Sequence, residues 1–104
     1  MREKIRQVIS KILQENKIES FKIILFGSRA RGDYKDDSDW DLLIIVDKKI
    51  SREEKSEISH LIRRKLAEEF IPADILIKSQ EEVEERQKVI GSIIKSAMED
   101  GVYI

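Results

Sequence analysis

The sequence predicts a small α/β domain, with one mixed β-sheet and helices packed on one face. Three observations carry that prediction. Apolar residues recur at helical spacing in long charged stretches. Three short aliphatic runs alternate with those stretches. Ser-x-x-Glu strings stand where helices should begin. The chain has 104 residues, the length of one domain, and 1–104 is expected to be a single unit.

Ile5, Val8, Ile9, Ile12 and Leu13 fall on one helical stripe among Lys, Arg, Gln and Glu, which predicts an amphipathic helix over residues 2–16. The apolar run from Phe21 to Phe26 stops at Gly27 and reads as a buried strand. Residues 28–31 can make one helical turn that Gly32 ends, and 33–38 is an acidic loop. From Asp39 the string Asp-Trp-Asp-Leu-Leu-Ile-Ile-Val reads as a central strand, apolar on both faces at its far end. Ser51 and Glu54 form a capping-box pattern. The helix they open carries Ile58, Leu61, Ile62, Leu66 and Phe70 as its stripe, and Pro72 stops it. Residues 73–77 give a third strand. Ser79 and Glu82 repeat the capping pattern, with Val83, Gln87 and Ile90 following. Gly91-Ser92 interrupts, and Ser92 can cap a further turn through Ile93, Ile94, Ala97 and Met98. Gly101 is expected as the residue that ends it, and residues 102–104 as an edge strand or docked tail. About a dozen residues link the first two strands, which suits an antiparallel pair. The helix from Ser51 suits a crossover to a parallel third strand.

Composition narrows the function classes. Lys plus Arg number 20 and Asp plus Glu 21, for a net charge of -1. That balance removes the electrostatic case for strong nucleic-acid binding. No cysteine is present, so thiolate chemistry and disulfides are excluded. No apolar run reaches the ~18 residues that span a membrane, and the charged N-terminus does not read as a signal peptide. A cytoplasmic protein is expected, with no membrane partner; homo-oligomerisation stays open.

Three features carry chemistry. Gly27-Ser28 ends a strand and opens a turn holding Arg29 and Arg31. A glycine that admits close approach, free amides, a hydroxyl and two cations are the parts of a phosphate cradle. A plain strand-to-helix turn with solvated arginines would use the same residues. Asp39 and Asp41, two apart on a strand, share one face. Trp40 faces the core on the other side. Two adjacent carboxylates persist most cheaply with a divalent cation between them, and oxygen donors suit Mg²⁺ or Mn²⁺; the alternative is a solvated acidic loop. Asp74 interrupts an aliphatic run, where it is costly unless paired or liganded. An exposed Asp at a strand start is the competing explanation. Other motifs fail. Gly27 and Gly32 have P-loop spacing, but Asp33-Tyr34 follows where Lys and Ser or Thr are required. Asp37, Asp39 and Asp41 begin like an EF-hand loop that Leu42 and Lys48 break. His60, the single histidine, falls on a polar helix face.

Gly27-Ser28, ten intervening residues and Asp39-x-Asp41 make the string G-S-x(10)-D-x-D. It resembles the signature of the DNA-polymerase-β-like nucleotidyltransferases. The fuller Gly-Ser-Arg-Ala-Arg-Gly-Asp at 27–33, Ser38 to Leu42, and the closing Gly91-Ser92-Ile93-Ile94 resemble the minimal nucleotidyltransferases (MNT domain). The resemblance implies the polymerase-β-like fold and transfer of AMP from ATP. It implies Asp39, Asp41 and Asp74 as catalytic metal ligands for two Mg²⁺ ions, with Mn²⁺ as a substitute. Gly27, Ser28, Arg29 and Arg31 would hold the phosphates. Larger relatives add a helical domain for the acceptor, and 104 residues leave that platform to another chain. The family analogy makes this protein an antitoxin and its partner a helical HEPN-domain toxin, silenced by AMP on a tyrosine. An antitoxin acting by binding alone, through the apolar segment from Ile90 to Ile104, is the alternative. A small-molecule nucleotidyltransferase of the aminoglycoside-modifying kind ranks last.

Overall fold

A computed structural model describes residues 1–89 and 91–104. The first helix, α1, runs Arg2–Glu15 and buries Ile5, Ile9, Ile12 and Leu13 along one stripe. Strand β1 is Phe21–Phe26, followed by the short turn α2, Ser28–Arg31. Strand β2 is Trp40–Val46, helix α3 Arg52–Glu68 and strand β3 Ala73–Ser79. Helices α4, Gln80–Arg86, and α5, Ile93–Asp100, precede a short strand β4, Val102–Tyr103. Ser51, Ser79 and Ser92 each accept a hydrogen bond from the backbone amide three residues on. They satisfy helix-start donors that would otherwise have no partner. Ser79 and Glu82 complete a reciprocal capping box.

The four strands lie in the order β3-β2-β1-β4. β2 pairs antiparallel with β1 and parallel with β3, so the sheet is mixed as expected, with α3 as the crossover. β4 pairs antiparallel with β1 at the edge. Period-two alternation sends Trp40, Leu42, Ile44 and Val46 to the face covered by α1 and α3, where they meet Ile5, Ile9, Leu13, Ile58, Ile62 and Leu66. The alternate residues of β2 point the other way. Leu43 and Ile45 join Ile24, Val83, Ile94 and Ala97 in a second, smaller cluster.

Helices therefore cover both faces. The two long ones take the expected face, and α4 and α5 take the opposite one. The physical reason is β2 itself, whose aliphatic far end needs cover on both sides. Two stripe assignments also shift. Leu61 and Phe70 are 42% and 93% exposed; α3 ends at Glu68 before Phe70, which turns back at φ 60°. Gly101 ends α5 as expected, with extended backbone at φ −78°. Its missing side chain matters for packing, because a Cβ would strike the Ala97 carbonyl and Ile24. Ile90, placed on the last apolar stripe by its spacing, lies outside the described residues. No helix among the described residues is long and apolar enough to cross a membrane.

Candidate active site

The site is built at the end of β1 and the start of β2. Phe26 is the partner of Asp41 across the β1–β2 ladder, and Asp41 is the partner of Asp74 across β2–β3. The three residues form one row across the sheet. Neighbouring strands lie about 4.8 Å apart, so the two paired carboxylates are neighbours. Asp39, two residues before Asp41, extends the row on the same face. Asp41 is half-buried, and Asp39 and Asp74 are exposed.

Gly27 brings the phosphate-cradle candidate to this row. Its backbone sits at φ 75°, ψ −157°, a region essentially reserved for glycine. A Cβ there would strike the Asp41 carboxylate, with Asp41 Cγ at 3.1 Å. The strand-end turn and the Asp-x-Asp strand thus touch through Gly27 and Asp41. From Gly27 the chain enters α2, whose Ala30 and Arg31 amides donate to the Gly27 carbonyl at 3.1 Å. Gly32 closes the turn in the left-handed region.

The electrostatics follow from this packing. Burial raises the Asp41 pKa above 3.8; Asp74 and Asp39 push it the same way, and Arg31 opposes them. Arg31 also reaches Asp33, Nε to Oδ2 at 3.4 Å, on the exposed surface. The row is an all-oxygen donor set of like-charged groups, and its half-buried member would be relieved by a cation. That chemistry fits Mg²⁺ or Mn²⁺. Among the described residues no group of three acidic, His or Cys side chains is placed so that it could hold a metal ion together. Asp39, Asp41 and Asp74 form an open row and not a preformed pocket. A groove of about 660 Å³ between α1 and the β1–β4 edge, lined by Glu3, Arg6, Lys11, Lys22 and Tyr103, includes none of the site residues.

The structure thus gathers Gly27, Asp39, Asp41 and Asp74, with Ser28 next in the chain and Arg31 felt by Asp41. Arg29, the other arginine of the turn, makes its contacts elsewhere in this structure. Its guanidinium donates to the carbonyls of Asp36 and Ser38. It also lies against Tyr34 and Trp40. Trp40 alternates to the face opposite Asp39 and Asp41, so a group stacked on it is turned from the carboxylates. Sequence reasoning placed Trp40 in the core but missed its cation partner. Phe26, half-buried at the end of the carboxylate row, was missed too; its position before Gly27 was the available signal.

This fold and site define a class. Residues 5–104 match the nucleotidyltransferase domain family, and the chain belongs to it. Among named proteins, it is similar to "Putative protein adenylyltransferase MJ0141" of Methanocaldococcus jannaschii. The two are 46% identical over 43 residues, which is 41% of this chain and 43% of that one. The matched stretch is thus less than half of the relative's length. Two solved structures share the fold. One is a toxin-antitoxin with AMP-PNP, TM-score 0.59 and 17% identity, over 93% of this chain and 69% of its own. The other is a mutant of the toxin-antitoxin MntA-HpeT, TM-score 0.56 and 14% identity, over 95% of this chain and 70% of its own.

Proposed function

We propose that this nucleotidyltransferase moves AMP from ATP to a hydroxyl of a partner protein, acting as one single-domain unit over residues 1–104. The observation that carries the reading is the Asp41–Asp74 row set against the Gly27 turn. The neighbour solved with AMP-PNP supports ATP as the nucleotide. In this reading the Gly27 backbone and the Ser28 hydroxyl grip the β- and γ-phosphates, and Arg31 offsets their charge. Asp39, Asp41 and Asp74 would hold Mg²⁺, which when bound would neutralise charge that develops during transfer. Asp74, exposed at the end of the row, takes the proton of the acceptor hydroxyl. The acceptor oxygen bonds to the α-phosphorus, the α–β bridging bond breaks, and pyrophosphate leaves with the electron pair.

The row faces open surface, which supports an acceptor brought by another chain. The named relative, a putative protein adenylyltransferase, supports a protein as the acceptor, and the toxin-antitoxin neighbours support a toxin as that chain. We read it as a helical HEPN-family protein modified on tyrosine, in a cytoplasmic pair. The test is incubation with α-labelled ATP, Mg²⁺ and the product of the adjacent gene. Label on the partner with wild type and none with Asp39→Ala/Asp41→Ala is expected; absence of label with both refutes the reading. Ile93 and Tyr103, 63% and 62% exposed, favour a second reading, neutralisation by binding alone. Neutralisation by the double variant at equal dose would establish it.

A further inference from the structure

Arg29 sits in the middle of the phosphate-cradle sequence and points out of it. Its Nε and Nη2 donate to the Ser38 carbonyl at 3.2 and 3.0 Å, and Nη2 also donates to the Asp36 carbonyl at 3.1 Å. Its Cζ lies 4.3 Å from the Tyr34 ring centroid and 4.8 Å from that of Trp40. The loop closes on itself there as well: the Lys35 amide donates to Ser38 Oγ at 2.9 Å, and the Ser38 amide returns to the Lys35 carbonyl. Ser38 is the residue before Asp39. A planar five-donor fork can serve two carbonyls while its faces meet aromatic rings; an ammonium matches neither geometry.

We propose that Arg29 is a positioning residue: it ties the loop end that carries Asp39 to the turn that begins at Gly27-Ser28, and it binds no phosphate. The inference rests on the nucleotidyl-transfer reading above. In that reading the triphosphate is held by one segment and the metal by the other, so their spacing decides whether the α-phosphate is presented correctly. A misplacement of about 1 Å can cost about 100-fold in rate.

The test uses the whole chain and α,β-methylene-ATP, whose α–β linkage does not cleave. Affinity is measured with Mn²⁺ and with EDTA in wild type, Arg29→Met, Arg29→Lys and Tyr34→Ala. Trp40, the only tryptophan, reports the clamp directly through its emission and acrylamide quenching. The expected result is a loss of about tenfold in Mn²⁺-dependent affinity for both Arg29 variants, with a smaller loss in the same direction for Tyr34→Ala. Metal-free affinity stays at the wild-type value, and Trp40 becomes more open to quencher. Tyr34→Ala changes an exposed ring only and keeps the test valid if an Arg29 variant fails to fold. Lower metal-free affinity with unchanged Trp40 quenching makes Arg29 a phosphate ligand and overturns the proposal. Variants indistinguishable from wild type overturn it too. A wild type that binds no nucleotide under either condition sinks the transfer reading itself, and the proposal with it.

Discussion

Replacing Gly27 by alanine tests the contact that joins the two halves of the site. The backbone at φ 75°, ψ −157° costs a side-chain-bearing residue about 1–3 kcal/mol. The new Cβ would also occupy the space of the Asp41 carboxylate, so Asp41 must swing out of its row. Gly32→Ala is the matched control. It too has positive φ, 87°, but a Cβ there meets nothing within 4 Å, so it bears about 1–2 kcal/mol of left-handed strain alone. In a domain of this size each kcal/mol lowers the Tm by roughly 4–8 °C. Both variants should therefore melt about 5–15 °C below wild type. Only Gly27→Ala should lose transfer, by about 100-fold or more, because only there does a carboxylate of the row move. The assay is label transfer to the partner protein well below both melting points. Equal residual activity in the two variants would refute the link from Gly27 to Asp41.

Three further outcomes follow from the charges and the backbone. Asp41→Asn should abolish transfer and raise stability at pH 7 by about 0.5–1 kcal/mol in a denaturant titration, because it removes a charge facing Asp74 and Asp39. Since the folded Asp41 pKa lies above 3.8, the stability that Asp41 contributes is present below 3.8 and lost as pH rises through the raised value, so the advantage of the Asn variant should grow over that window; a destabilised variant contradicts this. At Glu82 burial works against ionisation, yet hydrogen bonds from Lys55 and the Ser79 amide hold its pKa down to about 2, from 4.5. The stability it supplies is therefore present above 4.5 and lost as pH falls toward 2. With 38% of the side chain exposed, screening reduces the contribution to about 1–2 kcal/mol. Glu82→Gln should lower the Tm at pH 7 and match wild type near the acid end; an equal deficit at both ends would exclude the ion pair as the cause. Phe70→Gly should stabilise by about 1 kcal/mol, since Phe70 is exposed and left-handed at the end of α3, where glycine fits without strain. A lower Tm would contradict it.

Local patterns in the chain made much of this architecture legible. Strand β1, the α3 crossover and the three serine caps need only period, length and hydrogen-bonding side chains, all of which neighbours in sequence supply. The shared face of Asp39 and Asp41 is a consequence of period two alone. What stayed hidden depends on residues distant in the chain. Cover on the second face was implied by Leu43 and Ile45, yet nothing local says that α4 and α5 provide it. The contacts of Arg29 were hidden because its partners Tyr34, Trp40 and the Ser38 carbonyl lie five to eleven positions on, across a loop with no periodicity. Gly101 looked like a helix stop, and its packing against Ile24 of β1 is set by how the chain returns to the sheet edge.

The two connections flanking α3 differ in what they determine. The Trp40 amide donates to the Pro72 carbonyl at 2.9 Å, and the next residues pair in register, Trp40 with Ala73 and Asp41 with Asp74. The turn at 70–72 therefore acts as a ruler. One residue added after Pro72 would flip Asp74 to the core side and turn Ile75 outward. Residues added at the exposed Lys48-Lys49 would lengthen a loop at a cost of a few tenths of a kcal/mol and leave every carboxylate in place. Length variation among functional descendants of this chain should accumulate before α3 and be purged after it.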